Sequence, residues 1–230
     1  MDTLLEAIDV CNVDGFCFGN YTDEEAGTGC TVIVAPEGAT GGVDVRGGAP
    51  ASRETDLLRP ENTVDKVHAV CLSGGSAFGL EAASGVAREL ESRGIGLPVG
   101  PSQVPIVCSR CIFDLALGDP FAAAGSMQMP LDRTNTTISC IVTNVELTKA
   151  QATKVSQMAA DAYAHAIRPT HTTNDGDTIY TLASGKLGAQ ASAAVPLDLL
   201  GMLAVRALQT AIVNGAKTAK TSHGIPGAAK

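Results

Sequence analysis

The stretch Thr134-Asn135-Thr136-Thr137-Ile138-Ser139-Cys140-Ile141-Val142-Thr143-Asn144 passes from a hydroxyl-rich step straight into an apolar, β-branched run. Such side chains pack well on a pleated surface and lose rotamer freedom in a helix, so the run predicts a strand. Its apolar character is nearly continuous from Ile138 to Val142, the mark of a strand covered on both faces. Thr136 then stands at the mouth of a buried strand. Thr148-Lys149-Ala150-Gln151 follows as a capping box and starts a helix expected to run from Lys149 to Ile167.

Working outward, Thr178-Ile179-Tyr180-Thr181-Leu182-Ala183 reads as a strand able to pair beside the first. Between helix and strand lies Arg168-Pro169-Thr170-His171-Thr172-Thr173-Asn174-Asp175-Gly176-Asp177, which ends in a turn with two carboxylates. A hydroxyl is a weak nucleophile and needs a base at hand. A freed α-amino group, with a pKa near 8, can be that base on the same residue.

These residues resemble the second half of the DmpA-like family of self-processing hydrolases: L-aminopeptidase/D-esterases, β-aminopeptidases and nylon-oligomer hydrolases. The resemblance implies a precursor that cuts its own Asn135–Thr136 bond and exposes Thr136 as an N-terminal nucleophile. Asp175 and Asp177 match the pair that orients it in the nylon-hydrolase branch, where the aminopeptidase branches carry Ser and Glu. The fold implied is α/β, a layered α-β-β-α sandwich similar to N-terminal-nucleophile hydrolases. It forms a single domain whose residues 1–135 and 136–230 become the two parts of the processed enzyme, assembled as a homotetramer.

The first half carries the same likeness in Gly27-Thr28-Gly29-Cys30-Thr31-Val32, in Gly41-Gly42-Val43-Asp44-Val45-Arg46-Gly47-Gly48-Ala49-Pro50, and in Arg53-Glu54-Thr55-Asp56. From the residues alone, 2–13 read as a short amphipathic helix and Phe16 to Tyr21 as a strand. Residues 31–36 and 43–46 read as two arms of a hairpin turned at Gly38 to Gly42. Asp44 and Arg46 fit a solvated strand face. A strand over Val64 to Leu72 leads into Ser73-Gly74-Gly75-Ser76-Ala77-Phe78, then a helix to Arg93 closed by Gly94. Glycine-rich strand-to-helix turns can hold anions, yet this one lacks the P-loop lysine. In the resembled family the turn lines the active site, which makes Gly74, Gly75, Ser76 and Phe78 pocket candidates. Nylon hydrolases carry Tyr where this chain has Phe78.

Val104 to Leu117 reads as a further strand before Gly118-Asp119-Pro120. Family members carry a long stretch between that point and the Asn-Thr-Thr motif, including a Lys and an oxyanion-stabilising Asn. Only residues 121–134 stand there in this chain. An uncut relative acting as a binding or assembly protein is therefore the alternative to an amide hydrolase. Beyond the second strand, 185–190 reads as a loop. Ala194 to Asn214 reads as a helix with Pro196 in its first turn, a stripe of Leu197, Leu200, Leu203, Ala204, Ala207 and Ala211, and Gly215 at its end.

The 230 residues suffice for one sizeable core, 45% apolar but only 3% aromatic and without Trp. A formal charge of −8 disfavours nucleic acid and anionic membranes as partners. No uninterrupted apolar run reaches a membrane span and residues 1–20 lack signal-peptide character, so the expected location is cytoplasmic. The seven cysteines are scattered and odd in number, unlike a disulfide framework. Cys108-Ser109-Arg110-Cys111 has CxxC spacing without a completing ligand pair. His171 reads first as a hydrogen-bonding partner of the acidic turn, with a part in catalysis as the other reading, and His68, His165 and His223 carry no assigned role. The reading calls for no metal and no organic cofactor, and for a small peptide or amide-oligomer substrate.

Overall fold

The computed structural model describes residues 6–115 and 136–229. Nine strands and five α-helices are described: β1 Cys17–Asp23, β2 Thr28–Val45, β3 Ala51–Arg53, β4 Val67–Ser73, α1 Glu81–Ser92, β5 Leu97–Val99, β6 Ser102–Val104, β7 Val107–Cys111, β8 Ile138–Thr143, α2 Lys149–Ala159, α3 Asp161–Ala166, β9 Thr178–Ala183, α4 Ala189–Ala193 and α5 Leu197–Thr218. Strand order is β3-β7-β4-β2-β9-β8, with β1 on β2 and β5-β6 apart as a small hairpin.

The predicted hairpin over residues 31–46 does not form. Residues 28–45 are one strand, whose first part pairs β1 and β4 and whose second part pairs β9. The register against β4 shifts between Val34 and Ala39, where Pro36 lacks an N–H and Gly38 takes φ +74°. Pro36 to Gly38 thus makes a bulge rather than a hairpin turn, and a bulge bends a strand enough to serve two sheets. The true hairpin lies one element earlier, between β1 and β2.

Alternation along these strands divides the core into three layers of contact. Ile33, Val70 and Cys108 from one sheet meet Tyr180, Leu182, Cys140 and Val142 from the other. The residues of opposite parity, Val32, Ala69, Cys71 and Val107, pack on Ala83 and Leu90 of α1. Ile179, Ala183 and Ile141 pack on α2, α3 and α5. Helices therefore cover the outer faces of two packed sheets, the expected α-β-β-α sandwich. Each sequence half supplies one parallel crossover, β4-α1-β7 and β8-α2-α3-β9.

Several boundaries differ from those predicted. The 2–13 helix is only a 3-10 turn over Val10–Asn12 among the described residues. The helix after the glycine turn begins as a 3-10 segment, Ser76–Leu80. The 149–167 helix breaks at Ala160 into α2 and α3. Residues 104–111 form the end of β6 and then β7, interrupted by Pro105. The loop read over 185–190 ends at Gly188, and Ala189–Ala193 are helical. α5 begins after Pro196, which is its cap, and continues through Gly215. Its buried stripe is Gly201, Ala204 and Leu208, leaving Ala207 and Ala211 exposed. α5 is also long and apolar enough to match a membrane span by length and composition, with mean hydropathy 1.3, and it packs on α2 and α3.

Candidate active site

Thr136 stands just before β8, and the register Ile138↔Thr178 places it opposite Gly176. The Gly176 N–H donates to Thr136 Oγ1 at 3.1 Å. A Cβ on residue 176 would lie 3.0 Å from Thr136 Cγ2 and 3.4 Å from its Oγ1, so the glycine makes the room in which the hydroxyl sits. The hydroxyl keeps its proton free to donate elsewhere, while the donated N–H favours negative charge building on the oxygen.

Both carboxylates of the turn are buried, Asp175 at 0% and Asp177 at 2% exposure. Asp177 Oδ1 accepts from the Thr137 N–H at 2.8 Å. Its Oδ2 accepts from Thr170 Oγ1 at 2.7 Å, from the His171 N–H at 2.8 Å and faces His171 Nδ1 at 3.0 Å. Asp175 Oδ2 accepts from the Thr172 N–H at 2.6 Å. Asp177 therefore grips the backbone directly after the predicted nucleophile, and His171 serves the acidic turn as expected from sequence. The turn is braced from outside by the first half of the chain: Ala49 N–H donates to the Asp175 carbonyl, and Arg46 and Gly47 N–H donate to that of Asp177. A Cβ at Gly47 would fall 2.2 Å from the Asp175 carbonyl oxygen, so only glycine permits this approach.

Tyr163 of α3, which carried no signal as a site residue, closes the helix side. Its hydroxyl lies 2.7 Å from Ser139 Oγ and 3.1 and 3.0 Å from the carbonyls of Thr137 and Thr178. Burial pushes its pKa well above the ordinary phenol value, so it stays a neutral donor. Arg110, from the CxxC stretch, reaches the same strand ends and donates from Nε to Thr178 Oγ1 at 2.5 Å.

Gly74 lines a cleft of about 720 Å³ with Thr28, Ser73, Ile112, Asp114, Ile138 and the segment 219–227, whereas Gly75, Ser76 and Phe78 are not among its lining residues. Phe78 is 72% exposed. The Asp114 carboxylate already occupies the turn, accepting from the Gly75 N–H at 2.6 Å and from Thr28 Oγ1 at 2.6 Å. An internal anion thus fills the place an external phosphate would take. The cleft reaches Ile138, two residues beyond Thr136.

The CxxC spacing has no joint chemistry, because residues three apart on β7 face opposite sides of the sheet. Cys108 points between the sheets and the Cys111 sulfur lies toward Gly79. Burial pushes the Cys108 thiol up to about 12 and Cys111 up to about 11, far from thiolate chemistry. No group of three or more His, Cys, Asp or Glu side chains among the described residues could hold a metal. Asn135, and with it the predicted scissile bond, lies outside the described residues, as do Gly118 to Pro120 and 121–134.

A family model described as Peptidase family S58 matches residues 9–124 and 114–229. An uncharacterized aminopeptidase of Mycobacterium leprae is 29% identical over 333 aligned positions, covering 94% of this chain and 92% of that protein. Those positions exceed the 230 residues of this chain by more than a hundred, and the two family segments meet at 114–124, where the sequence is shortened. A 6-aminohexanoate-oligomer endohydrolase of Kocuria sp. is 37% identical over 102 residues, covering 44% of this chain and 26% of that enzyme. The L-aminopeptidase D-Ala-esterase/amidase of Ochrobactrum anthropi, whose structure is a variant of the Ntn-hydrolase fold, superposes with a TM-score of 0.68 at 13% identity, over 94% of this chain and 88% of that one.

Proposed function

We propose, because the chain belongs to peptidase family S58 and is an amide or peptide hydrolase, that Thr136 is its nucleophile and is freed by self-cleavage of the Asn135–Thr136 bond. The observation that carries this reading is the hydrogen bond from the Gly176 N–H to Thr136 Oγ1, made inside a turn whose two buried carboxylates hold the neighbouring backbone.

In maturation the Thr136 hydroxyl attacks the Asn135 carbonyl. The C–N bond breaks, the acyl group passes to oxygen as an ester, and water hydrolyses that ester. Asn135 is left with a carboxylate and Thr136 with an α-amine. In turnover the α-amine takes the hydroxyl proton as Oγ1 attacks the substrate carbonyl. The tetrahedral intermediate collapses when that proton reaches the leaving nitrogen. Water, deprotonated by the same amine, then releases the acyl group. The Gly176 N–H steadies the oxygen at both stages, and Asp177 fixes the backbone that presents it.

The substrates are small peptides with a free amino end or synthetic amide oligomers, and the Asp175–Asp177 pair favours the second. Thr136→Ala and Thr136→Ser separate the nucleophile from its surroundings. The alanine variant is expected to remain one chain without amidase activity, and the serine variant to mature and turn over more slowly. An alanine variant as active as the parent would place the nucleophile elsewhere.

A further inference from the structure

Arg110 sits on β7 with 0% exposure, pointing between the two sheets. Its Nε donates to Thr178 Oγ1 at 2.5 Å, Thr178 Oγ1 donates to the Gly176 carbonyl at 3.0 Å, and the Gly176 N–H donates to Thr136 Oγ1 at 3.1 Å. The remainder of the fork is different. Neither Nη1 nor Nη2 has a hydrogen-bond partner among the described residues, and no carboxylate there pairs with the guanidinium. A guanidinium stays charged in proteins, and a buried structural arginine ordinarily sets its fork on a carboxylate or on carbonyls. A wholly buried cation without such a partner acts on its surroundings through its field.

The groups around the strand ends show what that field meets. Asp175 and Asp177 bring negative charge from the turn, and His171 faces Asp177. Tyr163 from α3 and Tyr180 from β9 are kept protonated by burial, as are Cys108 and Cys111 of β7 and Cys140 of β8. Among these described groups Arg110 carries a fixed positive charge, and Tyr163 lies within the field of both Arg110 and Asp177. Asp177, whose Oδ1 holds the Thr137 N–H next in the chain, would favour the ammonium form of a Thr136 α-amine, and an ammonium cannot take the hydroxyl proton.

We propose that Arg110 is a positioning residue whose charge opposes the Asp175–Asp177 pair and keeps the Thr136 α-amine neutral at working pH. This rests on the reading of Thr136 as a processed N-terminal nucleophile. The test is the pH profile of kcat/KM on the full chain, with processing checked by mass, for the parent, Arg110→Met, Arg110→Gln and Arg110→Lys. Loss of the charge raises the proton affinity of the amine, so the acid limb moves to higher pH by roughly one unit in the Met and Gln variants. The Lys variant returns it toward the parent. Gln is able to keep a hydrogen bond to Thr178 and serves where Met does not fold.

Neutral variants that fold, mature and keep the parental acid limb would overturn the proposal and leave the nucleophile reading standing. Failure of both neutral variants to fold beside a folded Lys variant would mark the charge as structural and also overturn it. A parent chain that hydrolyses amides without processing at Thr136 would remove both readings together.

Discussion

The Gly176 N–H donates to Thr136 Oγ1, and a methyl group at residue 176 is the smallest change that probes the site. Gly176→Ala would press on Thr136 Cγ2 at 3.0 Å and tilt the hydroxyl from its N–H donor. We expect maturation slowed by at least about tenfold, with the melting temperature little changed, measured by gel densitometry and thermal denaturation. His68 offers a test away from the site. It is buried, its Nδ1 accepts from the Ile106 N–H at 3.1 Å, and burial with the nearby Lys66 lowers its pKa. The unfolded chain binds a proton at this residue near pH 6.5 while the folded chain does not, so this contribution to stability is present above about pH 6.5 and is lost as pH falls below it. His68→Asn, which can keep an acceptor in place, should flatten urea-midpoint differences between pH 7.5 and pH 5.5.

At the scale of elements, β8, the capping box and β9 could be read from sequence because each is governed by its own residues: β-branched content, Thr148 with Gln151, and the run from Thr178. Asp175 and Asp177 stand out through the family resemblance, since the residues alone read as an ordinary turn. The turn they form meets Thr136 and Thr137 through the Gly176 N–H and Asp177 Oδ1. What could not be read depends on partners distant in the chain. Pro36 to Gly38 looks like a hairpin turn until β4 and β9 are known to claim the two ends of β2. Tyr163 and Arg110 carry no signal as site residues, because their contacts arise only when α3 and β7 meet the strand ends. Gly74 lines the cleft beside Ile138, while Gly75 gives its N–H to the Asp114 carboxylate, a partner 39 residues away that the turn's own residues do not announce.

Lys149 was likewise invisible. Nearly buried at the start of α2, its Nζ donates to the carbonyls of Leu57, Asn62 and Val64 at 3.0, 2.8 and 3.2 Å. It ties the helix of the second half to a loop of the first. Lys149→Met leaves three carbonyls without their donor, and we expect a loss of about 3 kcal/mol in denaturant unfolding. Thr148→Ala, removing only the cap, should cost about 1 kcal/mol.

For the whole molecule, the proposed cut at Thr136 separates the chain without separating the sandwich. β2 from the first part pairs with β9 from the second over Thr40↔Ala183 to Val45↔Thr178. The inter-sheet core draws on both parts, with Ile33 and Val70 against Tyr180 and Leu182. The fragments should therefore run as one species in native gel filtration and part only in denaturant. Elution as separate species would mean that the interface does not survive cleavage.

The central claim is that Thr136 becomes an N-terminal nucleophile, and intact mass under denaturing conditions on freshly purified, active protein tests it most directly. The account predicts two masses meeting between Asn135 and Thr136, their sum exceeding the uncut chain by one water. A single mass of 23.4 kDa in a preparation that hydrolyses amides would contradict it.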